Sequence, residues 1–115
     1  MTCSLSIFDV VVVPFEFEDR PGVAKPRPAV VVDVDGGRAA LALAKVTSHA
    51  PRDWCPGEVA LSDWEAAGLR VPSTVRCSKV VVVDESSVKA VAGTLSERDA
   101  AAVVEGCREA FGGRM

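Results

Sequence analysis

No run of apolar residues in this 115-residue chain approaches the length that would cross a bilayer; the longest, such as Val10–Phe15 and Val80–Val83, are far too short. No basic stretch precedes an apolar segment with a small-residue cleavage site, so no secretory signal is expected and the expected location is the cytoplasm. An excess of positive charge is also missing. The chain carries 13 Lys and Arg against 16 Asp and Glu, a net charge of -3, which excludes a protein held to nucleic acid by bulk charge. A small basic cleft on an otherwise acidic surface stays compatible with that balance. The four cysteines (Cys3, Cys55, Cys77, Cys107) form no C-x-x-C pair, and one histidine cannot complete a zinc finger, so free thiols and no metal are expected. Repeats and low-complexity linkers are absent, leaving no domain boundary: one domain over residues 1–115 is expected. What is present, 49% apolar and 25% charged residues, is the composition of a globular protein rather than a disordered tail.

Proline and glycine cut the chain into short pieces. Val10–Val13 and Ala29–Val32 are β-branched runs that suit buried strands. Between them, Phe15–Arg27 carries Pro21, Gly22 and Pro26 among many charges and reads as a long charged loop. Asp35-Gly36-Gly37 is hairpin-turn chemistry, which makes Arg38–Val46 a strand paired with Ala29–Val32. Thr47–Gly57 reads as a loop and Glu58–Leu61 as a short strand. Ser62-Asp63-Trp64-Glu65 reads as a capping box opening a short internal helix that Gly68 ends. Ser73–Val83 is a strand, Asp84–Ser87 a turn, and the residues from Val88 to Gly93 a weaker strand. Ser96–Phe111 is an amphipathic helix with Ser96 as N-cap and Ala100, Val103, Val104, Cys107 and Phe111 on one face. The expected class is mainly β: a small antiparallel barrel or strongly bent sheet with a C-terminal helix.

Three clusters carry candidate chemistry. In Lys25-Pro26-Arg27-Pro28, two prolines fix the backbone around a guanidinium at a strand entrance, the rigid placement that electrostatic catalysis on a phosphate needs. A surface arginine beside turn prolines is the plainer reading of the same four residues. Thr47-Ser48-His49 offers two hydroxyls to phosphate oxygens and an imidazole suited to proton transfer near neutral pH, or alternatively loop-capping groups. Arg76, inside Thr74–Ser78, either lines a cleft or faces solvent. Trp54, in a proline-bounded loop, is a candidate for stacking on a base. There is no G-x-S-x-G elbow for these hydroxyls to belong to.

Taken in order, Phe8-Asp9-Val10-Val11-Val12-Val13-Pro14-Phe15, Arg27-Pro28-Ala29-Val30-Val31-Val32, Lys45-Val46-Thr47-Ser48, Glu58-Val59 and Ser73-Thr74-Val75-Arg76-Cys77-Ser78-Lys79 resemble the PemK/MazF family of toxin endoribonucleases, from about Ile7 to Phe111. The resemblance implies a CcdB/PemK-like, SH3-like barrel that forms a homodimer. It implies cleavage of single-stranded RNA without metal or other cofactor, restrained by a cognate antitoxin whose extended segment occupies the RNA groove. Carried over by position, it matches Arg27, Thr47 (with Ser48 adjacent) and Arg76 to residues of the family's site; Arg27, Thr47 and Ser48 are then expected to be catalytic, and His49, Arg76, Lys25, Phe17 and Trp54 to bind RNA. The reaction implied is attack of a ribose 2′-hydroxyl on its own 3′-phosphate, giving a cyclic phosphate and a 5′-hydroxyl.

The chain departs from the family pattern in three places. Ser78 stands where an acidic residue is usual, Asp33 where a small polar residue is, and Glu16, Glu18 and Asp19 crowd the first charged segment. Two other readings of the same fold therefore stay open: a catalytically inactive barrel that binds RNA or protein, and a gyrase poison. The ending Gly112-Gly113-Arg114-Met115 differs from the Trp-Gly ending of the gyrase poisons.

Overall fold

The computed structural model describes residues 5–17 and 20–111. Among them, six strands form one antiparallel sheet: β1 (Asp9–Phe17), β2 (Arg20–Asp35), β3 (Ala40–Thr47), β4 (Glu58–Ala60), β5 (Thr74–Asp84) and β6 (Ala90–Thr94), in the order β4-β5-β3-β2-β1-β6. A single 3-10 turn at Glu85–Ser87 links β5 to β6, and helix α1 (Glu97–Phe111) closes the described chain.

The valine runs are continuous because both faces of the sheet are covered. Val10, Val30, Ala44, Val75 and Cys77 point to one core, shared with Leu61, Ala67, Leu95 and Val103. Their strand neighbours Val11, Val13, Ala29, Val31, Leu41 and Leu43 point to a second core, capped by Leu5 and by the flanking Val81, Val83 and Val88. Strand neighbours alternate between faces, so a run such as Val10-Val11 feeds both cores.

Of residues 15–27, expected as a loop, 15–17 and 20–27 are instead the far ends of β1 and β2, paired from Phe15↔Lys25 through Val13↔Arg27. Pro26, one of the residues that suggested a loop, sits opposite Pro14. Two residues without an N–H at one rung leave no donor seeking a partner, which is how a strand end tolerates them. Strand β3 starts at Ala40, after the turn that Asp35-Gly36-Gly37 foreshadows.

The expected internal helix at 62–68 is a series of turns. The amides of Ser62 and Asp63 donate to the Asp99 carboxylate of α1 at 2.9 and 2.7 Å, so a tertiary acceptor takes the Ser62 N–H that the Glu65 side chain of a capping box would have bonded. This segment bridges the open side of the sheet between β4 and β6. Gly68, at φ 89°, and Gly93 make the bridge possible, because a Cβ on Gly93 would lie 2.5 Å from the Ala67 carbonyl oxygen and one on Gly68 would overlap the Ala92 carbonyl. The sheet is thus strongly bent and barrel-like, closed by packing rather than by a continuous ladder.

Helix α1 begins after Ser96, whose Oγ accepts the Asp99 N–H at 3.3 Å. Its buried face is Asp99, Val103 and Gly106, with Ala100 and Cys107 half-buried; Val104 and Phe111, expected on that face, are exposed. The rotation follows from close docking at Gly106. A Cβ there would lie 2.5 Å from a Val59 methyl and 2.9 Å from the Cys77 sulfur. No helix among the described residues is long and apolar enough to cross a membrane.

Candidate active site

On β3, the face that buries Leu41 and Leu43 presents Lys45 and Thr47 two and four residues on, where the second core ends. Lys45 pairs with Ala29 of β2 on one side and with Arg76 of β5 on the other, and Arg76 pairs with Glu58 of β4. Continuing the β2–β3 register two residues past Ala29 brings Arg27 abreast of Thr47. Both residues line a groove of about 1030 Å³, together with Ser48, Arg76, Lys45 and Arg70. Prolines 26 and 28 line it on either side of Arg27, and Phe15 stands near Lys45, whose Nζ lies 5.1 Å from the ring centroid.

Four cations (Arg27, Lys45, Arg70, Arg76) therefore face this groove, and no Asp or Glu is among the described residues that line it. On a chain with a net charge of -3, that is the local basic cleft that composition alone left open. Lys45 stands in the block Lys45-Val46-Thr47-Ser48, where its two-residue spacing from Thr47 is the signal for the shared face; Arg70 carries no signal in the sequence.

Arg76 is held by a residue that sequence also leaves unmarked. Its Nε donates to Glu58 Oε2 at 3.2 Å, and the same carboxylate accepts from Arg52 through the backbone N–H (2.9 Å), Nε (3.3 Å) and Nη2 (2.6 Å). The Glu58 side chain is 1% exposed, a burial a carboxylate bears only when its charge is met by partners. The bonds from Arg52, with Arg76 adding its charge, hold the Glu58 pKa down at about 2. So low a value makes Glu58 a feeble proton acceptor; its chemistry is to fix two guanidiniums. The cross-strand register Glu58↔Arg76 is the signal that could have found it.

The remaining candidates are spread around this centre. Ser48 and His49 follow β3, and the buried Thr74 hydroxyl donates to the His49 carbonyl at 2.6 Å, which anchors the backbone just past Ser48. His49 itself is exposed and outside the groove lining; its Nδ1 bonds the Ala50 carbonyl at 2.9 Å, so Nδ1 carries a proton. Ser78 is exposed in a bulge of β5, where Ala44↔Val80 gives way to Lys45↔Arg76, and it does not line the groove. Lys25 is exposed on β2 opposite Phe15 and also lies outside the lining. Trp54 is 73% exposed in the loop after β3. The side chains of Glu16, Phe17, Glu18 and Asp19, and all of Cys3, lie outside the described residues. Cys55, Cys77 and Cys107 are free thiols. Cys77 is buried, its pKa pushed up to about 12 by burial and by Cys107, which removes it as a nucleophile. No three His, Cys, Asp or Glu side chains among the described residues converge as they would around an ion.

The family model of the PemK-like, MazF-like toxins of type II toxin-antitoxin systems matches residues 7–111. The chain belongs to that family. Its structure resembles the Mycobacterium tuberculosis toxin MazF-mt6, with a TM-score of 0.69 at 20% identity over 90% of this chain and 96% of that one. The MazE-MazF crystal structure from Deinococcus radiodurans gives 0.72 at 20% identity, covering 94% and 96%. An endoribonuclease in complex with its cognate antitoxin, from a mycobacterial species, gives 0.71 at 14% identity, covering 95% and 96%. At such identities these likenesses establish the fold of this PemK/MazF-family chain. No curated protein is significantly similar to it in sequence.

Proposed function

We propose that this PemK/MazF-family protein is an endoribonuclease toxin that cleaves single-stranded RNA without a metal, in the cytoplasm, as one domain that assembles into a homodimer. The observation that carries the reading is the groove lined by both Arg27 and Thr47, faced by four cations and by no described carboxylate. Such a lining attracts a polyanion and repels none of its phosphates. The endoribonuclease and antitoxin named for structural relatives support the substrate and the partner. An acidic extended segment of an antitoxin would find the same charge and compete for the same groove.

The reaction forms a bond from the ribose 2′-oxygen to phosphorus and breaks the bond from phosphorus to the 5′-oxygen of the next nucleotide. The 2′-hydroxyl loses its proton, the departing 5′-oxygen gains one, and no water is consumed. Guanidinium groups stay protonated in proteins, so Arg27 acts as a clamp on the charge that builds on the phosphorane, not as the base. Thr47 and Ser48 donate hydrogen bonds to a non-bridging oxygen. Arg76, fixed by Glu58, adds charge at the groove wall. His49 and Lys25 stand at the periphery and bind flanking phosphates. A single strand is the fitting substrate because in-line attack needs a splayed backbone that a duplex forbids.

Incubating the protein with mixed-sequence single-stranded RNA in EDTA and mapping the ends tests this. Cyclic phosphate and 5′-hydroxyl ends are expected, with Arg27→Ala slowing cleavage about 100- to 1000-fold at unchanged circular dichroism. Ends bearing 5′-phosphate, or an Arg27→Ala variant that cuts as fast as the wild type, would sink it. Retained RNA binding without any cutting would leave only an inert barrel.

A further inference from the structure

Trp54 is 73% exposed, yet it is not loose. The Arg52 guanidinium lies over its ring, 4.6 Å from the centroid. Arg52 is itself immobilised by three bonds to the buried Glu58 carboxylate, which also holds Arg76 of the groove wall. A chain of four side chains, Trp54–Arg52–Glu58–Arg76, thus runs from the groove to an indole with one face covered by a cation and the other in solvent.

A large apolar ring left in water gains nothing for folding, and the bonds that hold it there cost side-chain freedom. The arrangement fits a ligand with a flat π-face and a nearby negative charge. Single-stranded nucleic acid supplies both, the ring from a base and the charge from its phosphate, and stacking on an aromatic ring is tolerant of base identity. The cation behind the indole completes the layer from the other side.

We infer that Trp54 is a stacking subsite for a base of the bound RNA lying outside the catalytic groove, and that Arg52 is its positioning residue. The inference rests on the ribonuclease reading above. Arg52 keeps the indole oriented before RNA arrives, and through Glu58 the subsite is registered against Arg76, so the base that stacks is set at a fixed step from the phosphate in the groove.

The test uses a pool of mixed-sequence single-stranded RNA in EDTA for cleavage, and the same pool made with 2′-O-methyl ribose, which lacks the attacking hydroxyl, for binding. Trp54 emission is read in a Trp64→Phe background. RNA should quench it, and Trp54→Ala should weaken binding roughly five- to a hundredfold, by the usual strength of base stacking. KM should rise with kcat nearly unchanged, and Trp54→Phe should restore part of the loss. Arg52→Ala should give a smaller loss of the same kind that adds little to Trp54→Ala, the non-additivity of two groups serving one contact. Full quenching with no change in affinity, or an unchanged KM in Trp54→Ala, overturns the subsite while wild-type cleavage upholds the ribonuclease. Should the wild type neither cut nor bind the pool, both fall together. A Trp54→Ala variant that handles RNA normally but loses antitoxin binding overturns the subsite in favour of a protein contact.

Discussion

Glu58 concentrates the electrostatics of the site in one carboxylate. Its pKa, held down at about 2 by Arg52 first and Arg76 after, means that folding favours its ionised form. The stabilisation it brings is full above the ordinary glutamate range and drains away as pH falls from that range through about 2. Glu58→Gln should therefore melt below the wild type at neutral pH, and the gap between the two melting temperatures should close as the pH is lowered toward about 2. A gap that stays constant would show that Glu58 contributes shape rather than charge. Asp63 behaves similarly at another place: the Arg98 guanidinium and the Ser96 hydroxyl hold its carboxyl well below the usual range. Residue by residue, sequence shows the catalytic candidates more readily than their holders. Arg27 and Thr47 stand beside prolines and strand ends, whereas Glu58 has meaning only once its register with Arg76 is known.

Among the elements, the strands at Val10–Val13 and Ala29–Val32 and the C-terminal helix are plain in the sequence, because β-branched runs and an apolar stripe are local signals. What was hidden depends on distant partners. Pro26 signalled a loop and instead shares a rung with Pro14; Ser62 and Glu65 signalled a capping box, and Asp99 draws off the Ser62 amide it required. Asp99 is 2% exposed, and Asp99→Ala would take the acceptor from two part-buried amides, at about 1–3 kcal/mol in urea unfolding. Gly106 tests helix docking in the opposite sense. Alanine gains about 1 kcal/mol of helix propensity there, but its Cβ would press on Val59 and Cys77. Packing should win, with Gly106→Ala unfolding about 1–3 kcal/mol more easily; a more stable variant would show that α1 has room to lift.

For the molecule as a whole, local charge outweighs net charge. A chain at -3 that turns Arg27, Lys45, Arg70 and Arg76 into one groove should bind single-stranded RNA with the salt dependence of a basic protein. If each cation meets one phosphate, the logarithm of the affinity should fall with the logarithm of salt at a slope of about -3. A flat salt response would place the RNA elsewhere.

The two-sided burial of the valine strands has its own consequence. Where neighbouring residues are alike and both are sheltered, oil-like side chains alone cannot tell a correct alignment from one slipped by a single position. Lys45, Thr47, Arg27 and Arg76 can, since slippage would drive a charge or a hydroxyl among the valines. The groove residues thus double as proofreaders of the sheet, and neutralising them would erode fidelity of assembly as well as grip on a ligand.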